Sequence, residues 1–252
     1  MDVGEHIDAL DREGRLLATA AVTAGPWADV PSCPGWSVRD LVRHTGGVHR
    51  WASGVVATPH TEPWDVELAE VVGEWPPDQD LLAWFADGHR GLVNVLRSAA
   101  PDLACWTFLR APSPLAMWSR RQAHETAIHR ADAELAAVLP VTGYDAPFAA
   151  DGIDELLTCF ITRKGGRLRA NPARNLRVRC TDADGDWMVQ IGPDDAVTTL
   201  PDGAGEADCQ VSGPATALYL TLWNRGPAGP ITVDGDGTVL EVFRDRVQVR
   251  WA

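Results

Sequence analysis

The chain has 252 residues, so it can bury a substantial core in one large or two ordinary domains. It carries 22 basic and 35 acidic residues, a formal net charge of −13. That balance argues against binding to nucleic acid or to an anionic membrane surface, because both need a basic footprint. The five cysteines are scattered and never form Cys-x-x-Cys pairs, so neither a disulfide framework nor a zinc finger is expected.

The location expected from the sequence is the cytoplasm. No apolar stretch approaches the roughly 18 residues that span a bilayer. The acidic segment Met1–His6 is not followed by the apolar run of a signal peptide, and scattered thiols suit a reducing compartment. Lys164 is the only lysine, while Ala, Val, Gly and Arg are abundant. This composition is typical of a GC-rich genome and suggests an actinobacterial source.

The residues up to Pro140 have the periodicity of helices. Ser37 with Asp40 three residues later resembles a capping box, and it predicts a helix start there. The predicted helices cover 4–22, the segment from Ser37 to about Ala57, 80–99 and 115–138. The proline-rich segment 59–80 is expected to be a loop with one short helix. Four such helices with short connections predict an antiparallel bundle.

After residue 150 the pattern changes to short strands and turns. Asp184-Gly185 lies between two strand-like runs and predicts a hairpin. The predicted elements are a helix near 151–163, strands at 176–180, 187–191, 196–200, 209–211 and 231–233, a helix at 214–224 and a final helix from about Thr238. The sequence therefore predicts a bundle domain, 1–150, followed by a small α+β domain, 151–252.

Two stretches on the predicted bundle helices contain candidate metal ligands: LVRHTGGVH at 41–49 and HETAIHRAD at 124–132. At about 100° per residue, Glu125, His129 and Asp132 lie within roughly 60° of one another on one helix face. His44 lies on the apolar stripe of its own helix and is expected to point inward. Two histidines and one carboxylate with open positions form a catalytic type of metal site, because the vacancies admit water or substrate.

The other two histidines of these stretches are set aside by the same geometry. His49 lies about 140° from His44, so we expect it to point towards solvent or a domain contact. His124 lies about 140° from His129 and outside the site. The pattern HExxxH is one residue too long for the zinc-protease motif HExxH. Asp132, one turn after His129, is expected to accept a hydrogen bond from an imidazole or to act as a ligand through water.

Less specific interpretations of these residues remain open. An inward His44 is also typical of a hydrogen-bonded core histidine. Glu125 and His129 could form a surface i, i+4 pair, and Arg130 with Asp132 or Glu134 could be solvated charges.

Four further residues are weaker candidates. Cys33 precedes a helix start, where the dipole can lower a thiol pKa, although Pro31–Trp36 first indicates a rigid turn. Residues 163–177 hold six basic residues; a solvated hinge is the simpler interpretation, with Arg167 or Arg169 as alternative holders of an anionic substrate. Trp118 lies on the same face as Glu125 and is a candidate for the pocket wall.

Three segments of the chain resemble the mycothiol-dependent maleylpyruvate isomerase family. They are PSCPGWSVRDLVRHTGGVHRWA at 31–52, HETAIHRADA at 124–133 and ADCQVSGPATALYLTLWNRG at 207–226. The resemblance covers nearly the whole chain. It implies an α+β protein in which a DinB-like antiparallel four-helix bundle precedes a small sterol-carrier-like domain. It also implies a divalent metal on His44, Glu125 and His129 with Asp132 nearby, and Arg225 reaching the active site from the second domain.

The activity implied by the resemblance is a reaction of mycothiol, a low-molecular-weight actinobacterial thiol. A divalent cation stabilises a thiolate at neutral pH. The thiolate could add to an unsaturated acid and leave after bond rotation, giving cis–trans isomerisation, or stay on an electrophile as an S-transfer product. Arg225 is expected to hold a substrate carboxylate or to stabilise an enolate. Zinc suits His and Glu ligands, as do nickel, cobalt and manganese.

Two other classes of function are consistent with the sequence. One is a non-catalytic, metal-stabilised protein that binds a small molecule, which would have a closed metal site. The other is a pathway-specific metal enzyme that no longer uses the thiol. In all three cases the expected partners are small molecules, with no nucleic acid and no membrane.

Overall fold

The structure is a computed structural model that describes residues 1–58, 61–199, 206–226 and 229–249. The chain forms two compact units, Met1–Thr142 and Gly143–Ala252. The boundary expected at 150/151 falls inside a helix of the second unit, and the division at that position stays a prediction. Among the described residues, none of the helices is long and apolar enough to span a bilayer.

The first unit is helical, and local signals set where its helices begin. The Ser37 side chain accepts from the Asp40 backbone while Asp40 accepts from the Ser37 backbone, so the predicted capping box is confirmed. Asp2 and Glu5 form a second capping box that the sequence reading missed. The helices are α1 Val3–Ala24, α2 Val38–Ala57, α3 Leu68–Val72, α4 Leu81–Ser98 and α5 Pro114–Ala136, with a 3-10 turn at Asp78–Asp80.

Helix α5 packs against α1 and α2, which run in opposite directions. The α1 helix runs parallel to α5, since His6 contacts His124 near their starts and Glu13 contacts Arg130 further along. The α2 helix runs antiparallel to α5: its Trp51 contacts Trp118, while the earlier residue His44 contacts Glu125.

Helix α4 closes the bundle and refines the topology expected from the sequence. It runs antiparallel to α1, because Arg97 pairs with Asp8 and His89 lies against Asp11. Consequently α2 and α4 run in the same direction, and successive helices do not simply alternate. The connection from α2 to α4 is therefore a crossover rather than a short turn.

Arg130 of α5 lies in a buried ionic network, which corrects its interpretation as a solvated charge. Its side chain is fully buried, donates from Nε to Glu13 at 2.8 Å and from Nη1 to Glu134 at 2.6 Å. Glu134 also accepts from the Thr142 backbone and hydroxyl. Three charged side chains with complementary partners thus tie α1 to α5 in the interior, as buried charges require.

The second unit has a mixed five-stranded sheet with strand order β3-β2-β1-β4-β5. Among the strands of the described residues, only β1 and β4 pair in parallel. The hairpin predicted at Asp184-Gly185 joins β1 to β2 and is confirmed; Leu200, the last residue of one predicted strand, lies outside the described residues. The elements are α6 Ala146–Asp154 with a π-helical turn Glu155–Phe160, β1 Arg174–Cys180, β2 Asp186–Ile191, β3 Val197–Thr199, β4 Cys209–Gly213, α7 Ala215–Leu222, β5 Thr232–Gly235 and α8 Thr238–Arg246. The predicted α+β class is confirmed.

Candidate functional site

Three of the predicted site residues converge between α2 and α5. Nε2 of His44 lies 3.3 Å from Oε1 of Glu125, and Nε2 of His129 lies 3.2 Å from the same oxygen. The donor atoms of the three residues all lie within 4.8 Å of one another. Their side chains are no more than 10% exposed, so Glu125 and His129 are not a solvated surface pair.

Asp132 forms a hydrogen bond with Nδ1 of His129, the ring nitrogen that does not face Glu125. Nδ1 of His129 lies 2.8 Å from Oδ2 of Asp132, whose side chain is fully buried. A carboxylate that accepts the Nδ1 proton fixes the imidazole orientation and leaves Nε2 as the nitrogen that faces Glu125 and His44. The structure thus places Asp132 where the sequence expected an acceptor.

The turn Pro31–Trp36 lies against this group of residues, a contact that the sequence did not predict. The Ser32 hydroxyl donates to Oδ1 of Asp132, and the Cys33 sulfur lies 3.6 Å from Oδ2. The Trp36 ring is 5.0 Å from the His44 ring and stacks on the His129 ring at 6.3 Å. Within the motif, backbone bonds from Cys33 to Val30 and from Trp36 to Cys33 keep the turn compact.

Electrostatic coupling within the site is strong. Burial alone would raise the pKa of Glu125, but hydrogen bonds from His129 and His44 and the Arg121 charge hold it well below its ordinary value. Burial alone would lower the pKa of His129, yet its bonds to Asp132 and Glu125 raise it to about 9. Burial lowers the pKa of His44. In the metal-free protein, the negative charge of Glu125 is therefore paired mainly with the imidazolium of His129, while His44 is neutral.

The donor atoms of His44, Glu125 and His129, here called the triad, fit a divalent metal. Two imidazole nitrogens and one carboxylate oxygen match the ligands of catalytic zinc sites and of related first-row metals. Asp132 supplies the outer hydrogen bond that metal-binding histidines usually make. His44, Glu125 and His129 are therefore the residues that could hold a cation, and three protein ligands leave a position for a further group.

Comparison with protein families identifies both units. The family model described as "Mycothiol maleylpyruvate isomerase N-terminal domain" matches residues 7–134, just over half of the chain. The chain belongs to the mycothiol maleylpyruvate isomerase family. The "MDMPI C-terminal domain" of the same family matches residues 147–241, so the match extends across both units. No curated protein matches the chain.

Solved structures of the family share the fold at low sequence identity. The crystal structure of the mycothiol-dependent maleylpyruvate isomerase aligns with a TM-score of 0.61 at 13% identity, over 92% of this chain and 93% of that chain. The structure of a histidine-to-alanine variant of that enzyme aligns over the same shares with a TM-score of 0.63 at 14% identity. At such identities the likeness establishes the fold alone.

Two histidines that the sequence set aside are both buried. His49 does not point to solvent: it is fully buried on α2, and its Nε2 lies 2.9 Å from the Thr126 hydroxyl of α5. That expectation was wrong because α2 is enclosed by α4 as well as α5, so its buried sector is wider than one apolar stripe. His124 is also fully buried and packs against His6 of α1, away from His44.

The remaining candidates lie outside the triad. Arg225 belongs to the second unit, where its Nη1 donates to the Trp223 carbonyl at 2.7 Å; its role in catalysis stays a prediction. Arg169 pairs with Asp195, and Arg167 and Arg169 line a surface pocket together with residues of α8. Trp118 is fully buried and belongs to an aromatic cluster with Trp51, Trp106 and Phe108.

Proposed function

We propose that this protein is a divalent-metal-dependent enzyme that uses mycothiol as its nucleophile, with His44, Glu125 and His129 as metal ligands. The convergence of these three donors from two different helices carries the proposal. Membership of the mycothiol maleylpyruvate isomerase family supplies the thiol and the class of reaction. A cytoplasmic location, where such thiols stay reduced, is part of the proposal.

The residues around the triad have separate tasks in this proposal. Asp132 holds the proton on Nδ1 of His129, so that Nε2 can act as a ligand. Trp36 packs against both imidazole rings and would shield that side of the site from water. Arg225, carried over from the family motif, would bind a carboxylate of the substrate.

The chemistry follows from what a cation in this environment does to a thiol. A divalent cation, most simply zinc, would stabilise a thiolate at neutral pH. A thiolate adds reversibly to a carbon–carbon double bond conjugated with a carbonyl, which permits cis–trans isomerisation of a substrate such as maleylpyruvate. If the thiol instead remains attached to an electrophile, the same residues would support S-transfer.

A cobalt–thiol titration tests the cofactor and the open position together. Cobalt-substituted protein should develop a sulfur-to-cobalt charge-transfer band when mycothiol is added, and the band should saturate at one thiol per metal. N-acetylcysteine, which carries the thiol without the sugar, and S-methylated mycothiol serve as controls for the sugar and for the sulfur. A protein that binds cobalt but shows no band would contradict the use of the thiol and favour a closed, non-catalytic site.

Activity distinguishes the two reactions. With mycothiol and zinc present, isomerisation of maleylpyruvate is followed by the change in its absorbance, and S-transfer by the loss of free thiol. We expect thiol concentration to stay constant in the first case. If the protein binds the metal and the thiol but shows neither activity, only a binding function remains and the enzyme assignment is refuted.

A further inference from the structure

The two oxygens of Glu125 have different partners. Oε1 lies between Nε2 of His44 and Nε2 of His129, at 3.3 and 3.2 Å. Oε2 lies 3.3 Å from Nη2 of Arg121, one turn earlier on α5. The carboxylate therefore has one oxygen in the triad and one oxygen held from behind by a guanidinium.

Arg121 is buried more deeply than an i, i+4 ion pair needs to be if it only stabilises the helix. Its side chain is 1% exposed and that of Glu125 is 6% exposed. An exposed i, i+4 pair contributes only about 0.3–0.5 kcal/mol, whereas withdrawing a guanidinium from water carries a desolvation cost that the attraction of its partner often only balances. Stability alone is thus a weak reason for placing this arginine behind Glu125.

We propose that Arg121 is a positioning residue for the metal site, which keeps Oε2 of Glu125 away from the cation and presents Oε1 alone. The inference rests on the proposed function, because it assumes that His44, Glu125 and His129 bind a divalent metal. A guanidinium that donates to Oε2 fixes the carboxylate plane through a charge-assisted bond. If Glu125 offered one oxygen only, a position would be left for the thiol or the substrate.

Metal affinity distinguishes positioning from a purely structural role. Competition between the protein and a zinc-sensitive dye gives the dissociation constant for Arg121→Met, Arg121→Lys and the wild type. Loss of a hydrogen bond behind a ligand typically weakens metal binding by about 10–100-fold, so we expect Arg121→Met to fall in that range. Arg121→Lys keeps a charged donor and should recover most of the lost affinity.

Arg50→Met is the matched control. Arg50 is a partly buried arginine of the same bundle that donates to the carbonyls of Gly46 and Trp84 and packs on the Trp84 ring. Its loss should lower stability and leave zinc affinity within about threefold. Circular dichroism checks that each variant is folded, and Arg121→Gln replaces Arg121→Met if the latter does not fold.

The results separate the inference from the proposed function. An Arg121→Met (or Arg121→Gln) protein that is folded and binds zinc as tightly as the wild type, or more tightly, would overturn the positioning role, as would an Arg121→Lys protein no better than Arg121→Met. The proposed function fails in a different way, if the wild type binds no stoichiometric zinc or if His44→Ala and Glu125→Ala both bind it normally.

Discussion

Metal uptake by this protein should release one proton, and His129 should be its source. In the metal-free protein the pKa of His129 is raised to about 9, because Asp132 and Glu125 both accept from its ring. Its Nε2 must lose that proton before it can bind a cation. The other two ligands contribute little, since burial lowers the pKa of His44 and the pKa of Glu125 is held well below its ordinary value.

The magnitude follows from the distance between the pH and this pKa. At pH 7 a group with a pKa of about 9 is almost fully protonated, so metal binding should release about one proton per chain. Well below that pKa each pH unit weakens the apparent affinity about tenfold, and at pH 9 half of the imidazole is deprotonated, so zinc should bind about 50-fold more tightly at pH 9 than at pH 7. Above that pH the dependence should level off.

The same shift determines how the stability of the metal-free protein depends on pH. The folded-state pKa of His129 is above its ordinary value of 6.5. The bonds of the imidazolium to Asp132 and Glu125 therefore stabilise the fold fully below pH 6.5, and this contribution is lost as the pH rises through about 9. Metal-bound protein should lack this dependence, because its His129 is already neutral.

Calorimetry in buffers of different ionisation enthalpy counts the released protons, and dye competition at pH 7, 8 and 9 gives the affinities. Asp132→Asn is the matched variant, because it keeps the shape of the side chain and removes its charge. We expect it to lower the pKa of His129 and hence to release clearly fewer protons at pH 8. Release of less than about 0.2 proton by the wild type at pH 7, with a flat affinity profile, would refute the reasoning.

Three other outcomes are expected. Purified protein should contain about one divalent metal per chain, and His44→Ala or Glu125→Ala should lose it, as measured by elemental analysis, because each supplies a ligand; full retention in both variants would disprove the ligand set. Arg225→Ala should reduce turnover at least tenfold while metal content stays unchanged, since a charge-assisted bond to a substrate is lost; unchanged turnover would exclude this arginine from catalysis. Glu13→Gln should lower the free energy of unfolding by about 3–5 kcal/mol in urea denaturation, because it leaves the buried Arg130 with one charged partner fewer, and a loss below about 1 kcal/mol would contradict the assigned network.

The helix boundaries were predictable because the signals that set them are local. Ser37 and Asp40 are three residues apart, and their mutual hydrogen bonds form within a single turn. The same holds for the Asp184-Gly185 hairpin, whose register follows from adjacent strands. The relative rotation of Glu125, His129 and Asp132 also depends only on helical geometry, so their common face could be read directly from the sequence.

Contacts between distant segments could not be predicted in this way. His49 was expected to point towards solvent or a domain contact because its own helix shows one apolar stripe, but packing against α4 and α5 buries it completely. A solvated charge was one interpretation that the sequence left open for Arg130, but its side chain is buried against Glu13 of α1. Polar side chains on several faces of α5 are buried, so hydrophobic periodicity does not show which of its residues are internal.

By itself the sequence determined the elements, the α+β class and the family, since each depends on local spacing or on motifs of known type. It also placed Glu125 and His129 one turn apart. Only the tertiary structure decided that His44 meets them, that Ser32 and Cys33 contact Asp132, and that Trp36 stacks on His129, from a turn about a hundred residues earlier in the chain. The physical reason is that these contacts depend on how helices pack around a shared interior, and a periodicity along one helix carries no information about its partner.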